Sequence, residues 1–587
     1  MIPMRDGIRL YTAIYIPKDT TERHPILMLR TPYSSAPYGA DAWRNFANSY
    51  ARLYFRENYI LVFQDVRGKF MSEGNFVDVR PYNPAKKGTE FDEASDSYDA
   101  VDWLVKNVPY NNGKVGAFGI SYPGFYATMV ALSAHPAVVA VSPQAPVTDW
   151  FMGDDFHHNG AFMLMDGFSF YQSFGLPRPQ PTGQSAAPRF LPKSDNYEFY
   201  LKGGALSNFA KLMGDSIQFW KDLYAHPNLD AWWKARNPQN YVQHIPATTS
   251  TLVVGGLFDA EDVYGAWNLY GSIEAKAKNN NRIVMGPWYH GQWGGGSEGS
   301  NLGNIRFGSK TAEWYQNNVE VPFFNYHLKG KGNLSALSEA TIFFSGENNW
   351  KRLPQWPPQE AATQPIFLQP NGGLSYTKPP AQGGFTGYTS DPAKPVPYTE
   401  DVHLRRTREY MTDDQRFAGR RPDVIVFQTE PLPADLTLAG PLRADLFVSI
   451  STTDADFVVK LIDVFPDSFA YETPLPTPNP YVMPGYQMLV RGEIMRGKFR
   501  KSFETPVPFS PGVVEKVTFS MPDVAHTFKK GHRLMVQIQS SWFPLSDRNP
   551  QKFVDIYKAT NADFQKSDIR IYHDARNPSS LVLSVLK

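Results

Sequence analysis

The sequence predicts an α/β protein: a mostly parallel sheet, interrupted by a helical insertion and followed by an all-β sandwich. Three features carry that expectation. Short apolar runs alternate with helical segments over residues 1–146 and again over 247–353, which means crossover units in one α/β domain split in two. Between them, residues 147–246 lack strand-like runs and are rich in aromatics, Asp and Pro, as a helical cap would be. Over 354–587, Pro and Gly punctuate short alternating runs with hardly any helix, the pattern of a jelly-roll β-sandwich.

The elements follow in order. Ile26 to Arg30 and Tyr59 to Gln64 read as short buried strands, with helical segments over Ala42 to Glu57 and Ala94 to Lys106. Lys114 to Gly119 is a further strand, and Tyr126 to Ala134 a helix that stops before Pro136. In the cap, Asn196 to Leu212 and Ser216 to Tyr224 read as helices. The sheet pattern resumes with Ser250 to Gly255, a helix from Val263 to Ala277, and the strand Arg282 to Met285. In the β-rich part the clearest strands are Ala444 to Ile450, Phe457 to Ile462 and Leu534 to Gln539.

Composition narrows the function. The 587 residues hold 58 Lys plus Arg against 57 Asp plus Glu, a net charge of +1, which removes the electrostatic footprint of a nucleic-acid binder. Apolar residues at 42% and charged residues at 20% allow sizeable cores and exclude global disorder. No run of about 18 uncharged apolar residues occurs, so no segment reads as a membrane span. With no cysteine, disulfides and thiolate chemistry are excluded. Met1 to Gly7 lead straight into a strand-like stretch without a signal-peptide pattern.

The sharpest local feature is Gly119-Ile120-Ser121-Tyr122-Pro123-Gly124. A serine between a buried strand and a helix sits on a tight turn that pushes its hydroxyl out of the sheet, above the positive end of the helix. The usual elbow has a small residue two positions after the serine; here that position is Pro123, with glycine one step later. In α/β-hydrolases the acid and the histidine follow the serine in chain order, beyond late strands. Asp259 follows the strand ending at Gly255, and His290 follows the strand ending at Met285. Both fall at the sheet edge where open parallel sheets place their sites. His290 would then take the Ser121 proton, and Asp259 would hold the imidazole in the required tautomer. The backbone N–H of Tyr122 is positioned by the elbow to stabilise an oxyanion. Tyr33, just beyond the strand Ile26 to Arg30, is either a second donor or a packing residue.

A series of motifs occurs in order: Arg30-Thr31-Pro32-Tyr33, Gln64-Asp65-Val66-Arg67-Gly68, Gly119-Ile120-Ser121-Tyr122, Gly153 to His158, Asp259-Ala260-Glu261-Asp262, Gly286 to His290, and Asp454 to Asp463. The chain resembles the α-amino-acid ester hydrolases, relatives of the cocaine esterases and X-prolyl dipeptidyl peptidases, over nearly its whole length. The resemblance implies an α/β-hydrolase domain with a helical cap and a C-terminal jelly roll. It implies Ser121, Asp259 and His290 as the triad, and oxyanion roles for Tyr33 and Tyr122.

In α-amino-acid ester hydrolases three acidic residues bind the substrate's α-ammonium group. The matching positions are Asp155, Glu261 and Asp262, with Asp154 the neighbour in a shifted register. Three clustered carboxylates repel one another, and a bound ammonium relieves that repulsion while orienting the acyl carbon. Without the resemblance, Glu261 and Asp262 also read as first-turn helix acids favoured by the dipole. The spacing of Asp154, His157 and His158 has no further ligand pattern, so no metal is expected. Asp65, Arg67 and Gly68 read as an ion-paired turn, and Gly294 to Gly296 as a flexible loop.

The resulting expectation is a serine hydrolase and acyltransferase that makes and breaks esters and amides of α-amino acids, β-lactam antibiotics included, with small-molecule substrates and no cofactor. The alternatives are a general carboxylesterase or amidase of the cocaine-esterase kind, an X-prolyl dipeptidyl peptidase, and a decayed hydrolase that only binds. The resemblance further implies a homo-oligomer, a homotetramer in some members, and export to the periplasm or outside the cell.

Overall fold

The structure, a computed structural model, describes residues 1–46, 50–295, 297–471 and 481–587. A nine-stranded sheet organises the first part of the chain. Its strands are β1 (Thr12–Tyr15), β2 (His24–Thr31), β3 (Ile60–Asp65), β4 (Asn111–Ser121), β5 (Val138–Pro146), β6 (Ser250–Gly256), β7 (Asn281–Gly286), β8 (Ala340–Phe344) and β9 (Asn349–Leu353). They lie in the order β9-β8-β7-β6-β5-β4-β2-β3-β1. The edge strands β1 and β9 are antiparallel to their neighbours, and the strands between them are parallel. β3 and β6 are buried along their whole length, as strands covered on both faces must be. That double burial is why their centres, Ile60 to Phe63 and Leu252 to Val254, read as apolar runs.

Helix Glu93–Asn107 starts on a capping box, in which the Asp92 carboxylate accepts the Ser95 N–H and the Ser95 hydroxyl accepts the Asp92 N–H. Helix Tyr122–Leu132 is buried at every residue and packs on β4, β5 and Glu93–Asn107. It starts four residues before the position expected from sequence, with Pro123 in its first turn, where a missing N–H is harmless. The helix expected over Ala42 to Glu57 reduces to the turn Arg52–Arg56. Trp43 and Phe46 pack edge-on against Tyr15 instead, and residues 47–49 lie outside the described ones.

Between β5 and β6 lie helices Leu164–Phe174, Asn196–Gly203, Leu206–Met213, Gln218–Ala225 and Ala231–Arg236. The single helix expected over Asn196 to Leu212 is broken at Gly204, whose φ of 79° is closed to a continuing helix. A short hairpin, His157–His158 with Ala161–Phe162, also occurs there, where the sequence showed no strand.

The C-terminal part is all-β, consistent with a jelly roll. One sheet is centred on Leu436–Ile450, which pairs with Glu515–Phe528, Ser567–Tyr572 and Ser580–Leu586. The other has four strands, Ile425–Gln428, Arg533–Gln539, Asp456–Val464 and Gln487–Arg496 in that order. This part is bolted to the rest by buried charges. Arg496 pairs with Asp456 and Asp547, and Asp547 accepts the Phe162 backbone N–H of the cap. The fully buried Arg491 donates to the Leu257 carbonyl just beyond β6. The all-β part therefore props the loop that carries Asp259.

Candidate active site

Parallel strands deliver their carboxyl ends to one edge of the sheet, and the candidate residues follow those ends: Tyr33 after β2, Ser121 at the end of β4, Asp155 after β5, Asp259 to Asp262 after β6 and His290 after β7. Ser121 has φ 70° and ψ −130°, a strained conformation that turns the chain from strand to helix in one residue. Two glycines permit that turn. A Cβ on Gly119 would overlap the Pro123 carbonyl, and one on Gly124 would lie 2.5 Å from the Gln144 oxygen and 2.9 Å from Pro146 Cα. Gly124 therefore supplies the close approach that the usual elbow obtains one position earlier.

Asp259 is wholly buried. Its Oδ1 accepts the backbone N–H groups of Glu261 (2.8 Å) and Asp262 (3.0 Å), and its carboxylate receives His290 Nδ1 at 2.9 and 3.1 Å. This fixes the tautomer that a general base requires. The other imidazole nitrogen lies 3.3 Å from Glu261 Oε2. Burial opposes the imidazolium, but Asp259, Glu261 and Asp155 outweigh it and raise His290 to about 10.

A cavity of about 190 Å³ adjoins Ser121. Its lining includes Asp155, Asp166 and Glu261 together with Tyr33, Trp150, Phe156 and Phe170. These four aromatic side chains give the cavity an apolar wall beside the serine. Tyr33 as a whole is 43% exposed, but desolvation at its phenol and the nearby Asp155, Glu261 and Asp262 raise it above its ordinary value, so it stays a donor, and the Ser121 hydroxyl interacts with it. The Tyr122 hydroxyl is committed elsewhere, accepting the Val79 N–H (2.7 Å) and donating to Asp78 (3.2 Å). Its backbone N–H, in the first helical turn, has no intrahelical acceptor.

The three expected ammonium ligands are neighbours but not equivalent. Asp155 receives the Trp150 indole N–H at 2.8 Å and sits at φ 28°, held there by its own N–H to the Glu261 carbonyl. Burial first, then Glu261, raises its carboxyl to about 8. Asp262 is fully buried and does not line the cavity; it lies 3.7 Å from His290 Nδ1, and neither of its oxygens has a hydrogen-bond partner among the described residues. Burial, Asp155, Asp154 and Asp259 push it well above the carboxylate range. Glu261 is held below its ordinary value: burial works against this, but His290 and Arg406 prevail. Arg406, from the connection between the sandwich strands Phe385–Ser390 and Ile425–Gln428, pairs with both Glu261 and Asp166. Neither Asp166 nor Arg406 stands out in the sequence. Asp166 lies within an amphipathic helix, and Arg406 is more than 100 residues from each partner.

Asp154 faces away from the cavity. Its carboxylate accepts the backbone N–H groups of Thr148, Asp149 and Gly265, clamping the loop after β5 to helix Val263–Lys276. His157 binds the Trp150 carbonyl (2.9 Å) and the Tyr557 hydroxyl (2.6 Å), and His158 pairs with Glu493. The expected pairing within Asp65 to Gly68 is corrected. Arg67 pairs with Asp6 and Asp96, while Asp65 accepts from Ser35, Tyr38 and Met71. Of the Gly294 to Gly296 run, Gly296 lies outside the described residues.

Residues 6–292 match the family described as X-Pro dipeptidyl-peptidase (S15 family), and residues 328–582 match the X-Pro dipeptidyl-peptidase C-terminal non-catalytic domain. The chain is 27% identical over 605 aligned residues to the cocaine esterase of Rhodococcus sp. (strain MB1 Bresler), covering 100% of this chain and 98% of that one. Among solved structures it is similar to an aminopeptidase from the marine sediment archaeon Thaumarchaeota archaeon, with TM-score 0.92, 37% identity, and 100% and 96% of the two chains covered. It is also similar to an α-amino acid ester hydrolase, with TM-score 0.91, 38% identity, and 100% and 95% covered.

Proposed function

The chain belongs to the X-Pro dipeptidyl-peptidase (S15) family and is a serine hydrolase; from that premise we propose that it acts on esters and amides of α-amino acids through an acyl-enzyme on Ser121. Ser121 Oγ attacks the acyl carbonyl as His290 takes its proton, and the Tyr122 N–H and Tyr33 hydroxyl receive the oxyanion. The alcohol or amine leaves with the proton from His290, and water then releases the acid. An added amine competes with water for the acyl-enzyme, so the same site forms amides, including those of β-lactam nuclei.

One observation carries the α-amino specificity: Asp155 and Glu261 share a cavity with Ser121, and Asp155 and Asp262 are driven toward their neutral forms by burial first and then by the neighbouring carboxylates, which a further positive charge would offset. A substrate ammonium supplies that charge and fixes the acyl carbon beside the serine. The aminopeptidase and ester-hydrolase relatives both support an amino-bearing acyl group. A second reading, a carboxylesterase indifferent to the amino group, is favoured by the Arg406–Glu261 pair, which already neutralises one carboxylate. Phenylglycine methyl ester and phenylacetic methyl ester separate the two. Leaving buried carboxylates without their cation costs about 2 kcal/mol or more, so the amino ester is favoured about 30-fold or more in kcat/KM. Equal rates favour the second reading.

A further inference from the structure

A second cavity, about 780 Å³, shares Tyr33, Ser169 and Phe170 with the cavity beside Ser121. The two have opposite charge. Asp155, Asp166 and Glu261 line the smaller one, and no Lys or Arg does. Lys69 and Arg178 line the larger one, and no Asp or Glu does. We propose that the larger cavity receives the leaving group and that Lys69 and Arg178 select leaving groups carrying a carboxylate, as in a dipeptide or an amide of a carboxylate-bearing amine.

The two cations are built into the wall rather than waving from it. Lys69 is only 9% exposed, donates to the Phe174 carbonyl at 2.8 Å, and lies 3.5 and 4.1 Å from the Phe174 and Phe76 ring centres. Arg178 donates to the carbonyls of Gly68, Phe70 and Ser72, which fixes its guanidinium over the turn that carries Lys69. Among the described residues neither forms an ion pair with a carboxylate. Burial lowers Lys69 to about 8, with Asp78 opposing and Arg178 adding to the effect. A buried positive charge at Lys69, beside the half-buried Arg178 and without a paired anion among the described residues, is costly, and a carboxylate in the cavity offsets both. This is the mirror image of the acidic cavity: one end takes the ammonium of a zwitterionic substrate, the other its carboxylate, with Tyr33 on the shared wall.

The orientation of the acyl half rests on the proposed ammonium site; the anion preference of the larger cavity does not. The test compares kcat/KM for phenylalanyl-glycine and phenylalanyl-glycinamide in the native protein and in Lys69→Met. A ratio cancels any general loss of activity, including one transmitted through Asp78. The native protein favours the free carboxylate by about tenfold or more, the scale of one partly buried charge pair, and Lys69→Met lowers the ratio by about threefold or more, Arg178 retaining the remainder. A native ratio near one, or a ratio unchanged in Lys69→Met, overturns the proposal. Inhibition constants against phenylalanine methyl ester hydrolysis give the same ratio where turnover of the dipeptides is too slow to measure. Including 3-phenylpropionyl-glycine separates the two readings: if it binds as well as phenylalanyl-glycine while the carboxylate preference persists, the ammonium reading fails and this one stands.

Discussion

His290 Nε2 lies 3.3 Å from Glu261 Oε2 while its Nδ1 is held by Asp259, so both nitrogens of the candidate base face carboxylates. That relationship predicts a pH signature. A histidine raised to about 10 is protonated at neutral pH and cannot accept the Ser121 proton. A substrate ammonium among the same carboxylates offsets them and brings the base back toward its ordinary value. With phenylacetic methyl ester, kcat/KM rises with pH toward about 10. With phenylglycine methyl ester, the limb in kcat falls lower by about one unit or more. Coincident limbs in the two pH–rate profiles contradict this.

Asp262 predicts a trade between stability and specificity. An acid whose folded pKa is raised stabilises the fold fully only below its ordinary value of 3.8, and stability falls as pH climbs toward the raised one. Asp262→Asn removes an unpartnered buried carboxylate. Thermal unfolding at pH 8 shows it more stable by about 1–3 kcal/mol, with the gap closing toward pH 5. Its kcat/KM for phenylglycine methyl ester falls.

Gly124→Ala tests the displaced glycine of the elbow. The added Cβ, 2.5 Å from the Gln144 oxygen, forces the helix after Ser121 off the end of β5. Urea unfolding shows a loss of about 1–3 kcal/mol, and ester hydrolysis falls with it.

Arg406→Met strips the shared cation from Asp166 and Glu261. Breaking a largely buried pair by removing one partner costs about 3 kcal/mol, read as a lower urea midpoint at pH 7. Arg406→Lys, which keeps the charge but loses the fork, recovers part of the loss.

Five of the seven parallel strands were legible because burial on both faces leaves an apolar run at their centres, as in Ile60 to Phe63; Val138–Pro146, interrupted by Ser142, Pro143 and Gln144, and Ala340–Phe344 were not read. The elbow and the Asp259–His290 pair were legible because chain order in such sheets maps onto position along one edge. What could not be read depends on contacts distant in sequence. The break at Gly204 is a choice of φ, the positive φ of Asp155 is imposed by the Glu261 carbonyl, and Arg406 reaches Glu261 from 145 residues away. The usual elbow rule pointed to position 123, whereas Gly124 makes the close approach. Spacing alone does not reveal which helical turn faces a neighbouring strand.

The claim on which the rest depends is that acidic side chains next to the nucleophile choose the substrate by its amine, and Asp155→Asn addresses it most directly. The quantity to measure is the kcat/KM ratio of phenylglycine methyl ester to phenylacetic methyl ester, before and after the substitution. The account predicts that the ratio drops by about tenfold or more, carried by the amino ester, while the des-amino ester changes little. A ratio that survives the substitution intact contradicts it.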